Sequence, residues 1–194
     1  MFPLTIKSKK LEQMTDDEFF EFCQENRDMR FERDSQGQII IMSPTGLITS
    51  DLNSELNTQL RIWNKKYKLG HVLESNAGFF LPNDAVRSPE AAWVSNEKWN
   101  TYSKEELTKF AHLVPEFIIE LKSQSDHISQ LHSKMVEWME NGVLLGWLID
   151  LDKEEVFVYT RSAKYVKILG FDQKLSGEPV LKNFKMDLSE LRIQ

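Results

Sequence analysis

The sequence predicts an α/β fold in which a mixed β-sheet is flanked by helices, with antiparallel additions at both ends. Three observations predict it. Ile48, Leu52, Leu56, Leu60 and Trp63 recur at helical spacing. Phe117 to Lys122 is an apolar run of strand length behind Pro115, and a second amphipathic helix and another strand follow it. Strand pairs about short turns lie toward each end. A sheet with helices on its faces is the packing that buries such a mixture. At 194 residues, 41% hydrophobic and 28% charged, the chain suits one domain with one sizeable core, so the expected organisation is a single domain over residues 1–194.

Taken in order, Thr15-Asp16-Asp17-Glu18 is a capping-box pattern opening a short helix whose phenylalanines share a face. Arg30 to Arg33 and Gln38 to Met42 read as a hairpin around Asp34-Ser35-Gln36-Gly37. Ser43-Pro44-Thr45-Gly46 breaks the chain before the long helix, which ends ahead of Gly70. Val72 to Asn76 and Gly78 to Leu81 read as one kinked strand or two, and Val86 to Val94 as a strand after the Pro82-Asn83-Asp84 turn. Asn96 to His112 is a polar surface excursion. Ser125-Asp126 is placed to cap a helix striped by Ile128, Leu131, Met135 and Met139, which Asn141-Gly142 ends. Val143 to Ile149, Val156 to Thr160 and Tyr165 to Leu169 are the remaining strands.

Composition narrows the class. No apolar run approaches the ~18 residues that cross a bilayer, and the first residues lack a secretion signal, so the expected compartment is the cytoplasm with no membrane partner. A single cysteine, Cys23, excludes an internal disulfide and a multi-cysteine zinc site; among phenylalanines it reads as a small buried hydrophobe. The four histidines are scattered, and His127 and His132 are spaced wrongly for a same-face metal pair. A formal charge of -6 weighs against a surface relying on nonspecific phosphate contacts, although a local basic groove or bound cations can reverse the field.

The chemistry is concentrated in Pro115-Glu116-Phe117-Ile118-Ile119-Glu120-Leu121-Lys122-Ser123. Strand alternation points Glu120 and Lys122 one way and Ile119 and Leu121 the other. A carboxylate and an ammonium in so apolar a strand are costly unless paired, hydrated or bound to an ion. Glu90, after Pro89 at the head of an apolar run, lies far enough upstream for the chain to return in a neighbouring strand. Glu90, Glu120 and the Leu121 carbonyl would then offer oxygen ligands to one magnesium ion, with manganese as substitute. Phosphodiester hydrolysis needs such a metal to neutralise the phosphate and activate water. Lys122 fits a charged, stabilising role beside the two acids.

Pro89-Glu90 followed by Glu120-Leu121-Lys122 is similar to the PD-(D/E)XK nuclease signature. The whole chain more closely resembles the Uma-type restriction endonuclease family. The resemblance is carried by residues 39–46 (IIIMSPTG), 87–94 (RSPEAAWV), 115–123 (PEFIIELKS) and 142–150 (GVLLGWLID). It implies a restriction-endonuclease-like core, magnesium dependence and action on DNA, with Glu90, Glu120 and Lys122 as the site. The family's first acid is usually aspartate, and Glu90 is one carbon longer, which bears on metal geometry.

Rival readings accompany each residue. Glu120 and Lys122 alone would be a same-face ion pair, worth ~0–1 kcal/mol if exposed. Glu32, in the first hairpin beside apolar residues, is the preferred extra carboxylate; solvated faces explain it and Glu55 more simply. Gln130 and Lys134 lie four apart on the helix after the motif and read as a solvent face able to reach phosphate. Trp93, Trp138 and Trp147 fit core packing. The alternative function is a catalytically inactive nuclease-fold module for protein association or DNA-associated binding. A homodimer is expected if both strands of a duplex are cut. No organic cofactor is expected.

Overall fold

A computed structural model describes residues 4–124, 126–161 and 164–192. In chain order the elements are β1 (Leu4–Ile6), α1 (Asp16–Glu25), β2 (Arg30–Arg33), β3 (Ile39–Met42), α2 (Leu47–Tyr67), β4 (Gly70–Glu74), β5 (Phe79–Phe80), β6 (Val86–Arg87), β7 (Ala91–Ser95), α3 (Asn96–Trp99), β8 (Phe117–Lys122), α4 (Ile128–Glu140), β9 (Leu145–Asp150), β10 (Glu155–Thr160), β11 (Tyr165–Leu169), β12 (Lys174–Ser176) and β13 (Lys185–Asp187). They form two compact units. The first takes the chain up to Pro44 with Ser75–Ser88 and Tyr102–Val114; the second takes Thr45–Glu74, Pro89–Thr101 and the chain from Pro115 onward.

In the first unit a five-stranded sheet runs β1-β3-β2-β6-β5. Thr15 caps α1 as the sequence predicts: the Glu18 N–H donates to the Thr15 hydroxyl at 3.3 Å and the Thr15 N–H to the Glu18 carboxylate at 2.7 Å. Donation from the Thr15 N–H and hydroxyl holds the Glu18 carboxyl below its ordinary pKa. The β2–β3 hairpin closes between Arg33 and Ile39, with Asp34 accepting from the Gln36 and Gln38 N–H groups and Gly37 at φ 80°. Phe19, Phe31, Ile39, Phe80 and Val86 make the core, with Cys23 packed against it. Burial pushes the Cys23 thiol up to about 11, which suits an inert hydrophobe.

The second unit holds a six-stranded sheet in the order β11-β10-β9-β8-β7-β4. Only β8 and β9 pair in parallel, so the sheet is mixed. Leu52, Leu56, Leu60 and Trp63 of α2 share a core with Phe117, Ile119, Leu121, Trp147 and Ile149, and Leu175, Phe184 and Met186 from the β12–β13 hairpin complete it. Alternation along β8 and β9 sends the other residues to the opposite face. There α4 packs through Met135, Trp138 and Met139, and Gly146 leaves room for the two methionines. No described helix is long and apolar enough to cross a membrane.

Several boundaries differ from expectation. Val86 to Val94 is two strands, because Pro89 has no N–H for the ladder and the chain bends at Glu90 before β7 starts at Ala91. The possible kinked strand is also two, β4 pairing with β7 in one sheet and β5 with β6 in the other. Asp126 accepts from the Ser123 N–H and hydroxyl, closing the preceding turn. Helix α4 therefore starts at Ile128 with His127 as its N-cap, while Ser125 lies outside the described residues. Strands β1, β12 and β13 carry too little periodicity to be read from sequence.

Two predictions follow from packing in the second unit. A Cβ on Gly70 would fall 2.2 Å from the Val94 carbonyl oxygen, a backbone atom that cannot swing aside. Gly70→Ala should cost about 1–3 kcal/mol in denaturant unfolding; an unchanged midpoint refutes it. The second concerns His132, whose Nδ1 bonds the Tyr159 hydroxyl and whose ring stacks on Tyr165. Burial depresses the pKa of His132 below its ordinary 6.5, so the folded state binds fewer protons than the unfolded chain. That contribution is full above 6.5 and is lost as pH falls. The melting temperature of the protein relative to His132→Phe should therefore decline as pH drops below 6.5, and a constant difference between pH 8 and 5 contradicts it.

Candidate active site

Strand β8 lies fourth in the six-stranded order, and all its residues but the last are buried. Its alternation puts Ile118, Glu120 and Lys122 on the α4 face, and Phe117, Ile119 and Leu121 on the α2 face. The apolar half anchors the strand; the charged half must find partners inside the unit.

Glu120 is only 4% exposed. Its Oε1 accepts from the Trp138 Nε1–H at 2.9 Å and forms an ion pair with Lys134 Nζ, also at 2.9 Å. Both partners come from α4, one turn apart on the helix. Lys122, next along the same face, takes different partners. Its Nζ is 3.2 Å from Asp152 Oδ2 and 3.6 Å from Asp150 Oδ1, and it donates to the Ser123 carbonyl at 3.3 Å. In the parallel β8–β9 ladder Lys122 stands in register with Asp150, and Glu120 with Leu148.

Glu90 sits just ahead of β7. The antiparallel ladder pairs Ala91 with Ile119, Ala92 with Ile118 and Trp93 with Phe117. The ladder ends at Ala91–Ile119, and Glu90 lies at the bend just before it. Glu90 Oε2 accepts from Asn53 Nδ2 of α2 at 2.5 Å, and Asn57 Nδ2 donates to the Glu90 carbonyl at 3.1 Å. The two acids are thus held from different helices, Glu90 by α2 and Glu120 by α4. Leu121 is buried on the α2 face, so only its backbone carbonyl is available as a ligand.

Glu32 belongs to the first unit. It is 2% exposed, and its carboxylate accepts from Arg87 Nη1 and the Ser88 N–H, each at 3.0 Å. The buried pair anchors the segment leading to Pro89.

Sequence reasoning passed over four of these residues. Lys134 is not on a solvent face: its side chain is 13% exposed and paired with Glu120, whereas Gln130 is exposed as expected. Trp138 packs in the core and also donates to the site. The usable signal was their i, i+4 spacing next to Met135 and Met139. Asp150 closes an apolar run as Glu120 does, a signal of the same kind. Asn53 left no such mark.

Oxygen donors suit a hard cation, and magnesium commonly takes one or two carboxylates and keeps several waters. Glu90, Glu120 and the Leu121 carbonyl make a set of that chemistry. Among the described residues no three His, Cys, Asp or Glu side chains converge as a metal cage.

A mixed sheet with helices on both faces and an acid-x-lysine strand at its middle is what a restriction-endonuclease-like protein is expected to have. The sequence matches the family described as "Putative restriction endonuclease" (Uma2) over residues 16–189, and the chain belongs to that family. Its structure is similar to that of "a putative nuclease belonging to DUF820" from Anabaena variabilis ATCC 29413, with a TM-score of 0.73 at 19% identity, covering 92% of this chain and 97% of that one. That likeness establishes a shared fold. No curated protein matches the chain.

The Glu120 pairing yields a stability prediction. Lys134→Met leaves a buried carboxylate without its cation and should cost roughly 3 kcal/mol in urea unfolding. Adding Glu120→Gln removes that charge and should recover most of the loss; a double variant no more stable than Lys134→Met contradicts the pairing.

Proposed function

We propose that this chain is a magnesium-dependent endonuclease that hydrolyses phosphodiester bonds in DNA, with manganese able to replace magnesium. The observation that carries the reading is the geometry of β8. It carries Glu120 and Lys122 on one face, with Glu90 at the bend just before the adjoining strand β7. Membership of a restriction endonuclease family supports it.

Glu90, Glu120 and the Leu121 carbonyl would hold the cation. When bound, such an ion neutralises phosphate charge and lowers the pKa of a coordinated water. Lys122, two residues beyond Glu120 on the same face of β8, would donate to a phosphoryl oxygen as negative charge develops on it. Asn53 fixes the Glu90 carboxylate from α2, and Trp138 fixes that of Glu120 from α4. Glu120 is oriented from within the core, and Glu90, at the bend before β7, is held by α2, which favours catalysis by positioning. A homodimer that presents two such sites would cut both strands of a duplex.

A second reading has its own observation. Glu120 and Lys122 are each engaged by partners within the chain, and the protein as a whole carries a charge of -6. Both suit a nuclease fold kept as a module for protein association or DNA-associated binding.

Supercoiled plasmid incubated with magnesium or manganese separates the two. The nuclease reading expects nicking that falls roughly 100-fold in Lys122→Ala and is abolished in Glu90→Gln and Glu120→Gln. Equal cleavage by wild type and Lys122→Ala sinks it. Absence of cleavage, with tight metal-independent binding to a protein partner, favours the module.

A further inference from the structure

We propose that Asp150 is a positioning residue for Lys122, a fixed buried charge that holds the ammonium at the end of β8; its kinetic consequence rests on the nuclease reading above. Asp150 is fully buried, and among the described residues neither carboxylate oxygen has a hydrogen-bond partner. A carboxylate in that position is among the most expensive groups a sheet can carry. The neighbouring residues Ile149 and Leu151 are buried and apolar, so a side chain serving only the fold would do better as a hydrophobe. An unsatisfied buried group in a folded protein calls for a reason, and the nearest cation supplies one. Lys122 Nζ lies 3.6 Å from Asp150 Oδ1, within ion-pair reach but beyond a hydrogen bond.

The register explains why this carboxylate does the work. In the parallel β8–β9 ladder Lys122 and Asp150 are direct neighbours on the same face. Lysine is a point charge on a flexible four-carbon stem, so its position is set by the field around it. On one side, Glu120 is balanced by Lys134 and draws less on Lys122. On the other, Asp152 contacts Lys122 from the rim, where its own side chain is 37% exposed and screened by water. Asp150 is the unscreened charge of the three. It acts through Lys122 and touches no substrate.

The test uses Asp150→Asn, which keeps shape and removes charge, with Asp152→Asn as the rim comparison. In plasmid cleavage Asp150→Asn should lower kcat roughly 10–100-fold with KM nearly unchanged, and Asp152→Asn should lower it less. Melting temperature should hold or rise, because a costly buried charge has gone. In protein carrying 15N-lysine, the ammonium resonance that Lys122→Arg removes should broaden away in Asp150→Asn and persist in Asp152→Asn. A melting temperature lower by more than roughly 10 °C, or a Lys122 resonance indifferent to Asp150→Asn, overturns the proposal. Wild-type protein that cleaves nothing, yet loses the Lys122 resonance on Asp150→Asn, overturns the nuclease reading and supports the positioning role.

Discussion

The second unit depends on how the charged face of β8 is neutralised. Glu120 and Lys122 are same-face neighbours two residues apart, and a direct pair between them would be the simplest solution. The fold instead crosses the partners: Lys134 and Trp138 of α4 take Glu120, while Asp150 and Asp152 at the end of β9 take Lys122. Each motif residue is thereby tied to a different element. The arrangement places five charges along one face, Asp152 at its rim, with each ammonium beside a carboxylate, which lowers the cost of each.

Because of this, helix α4 has two functions in one surface. Met135 and Met139 supply apolar packing against Gly146, and Lys134 and Trp138 on the same side supply the polar contacts to Glu120. Displacing the helix would expose apolar area and strand a carboxylate at once. Helix α2 works similarly across the sheet. Its leucines bury Ile119 and Leu121, and Asn53 from its first half reaches Glu90. The candidate site is therefore clamped between elements that also make the core, a design in which stability and positioning share residues.

The chain belongs to the "Putative restriction endonuclease" family and shares its fold with the protein from Anabaena variabilis ATCC 29413. The net charge of -6 is not offset around β8, where Lys122 and Lys134 stand among Glu90, Glu120, Asp150 and Asp152. A bound cation would supply positive charge that these groups lack.

Local rules sufficed for the elements whose signals are local. The capping box at Thr15, the hairpin at Asp34 to Gly37, the long periodic helix and the strand Phe117 to Lys122 all stand where their residues place them, because caps, turns and periodicity act over a few neighbours. The family was legible for a related reason: four short stretches, residues 39–46, 87–94, 115–123 and 142–150, each weak alone, stand in the order the family shows. The break at Glu90, the separate sheets of β4 and β5, and the weak strands β1, β12 and β13 depended on long-range pairing that no short window contains. The same holds for charge partners. That Glu120 and Lys122 would share a face followed from the strand period alone, whereas Lys134, Trp138 and Asp150 became their companions only once a helix and a parallel neighbour were packed against that strand, since electrostatic pairing is decided by distance in space and not along the chain.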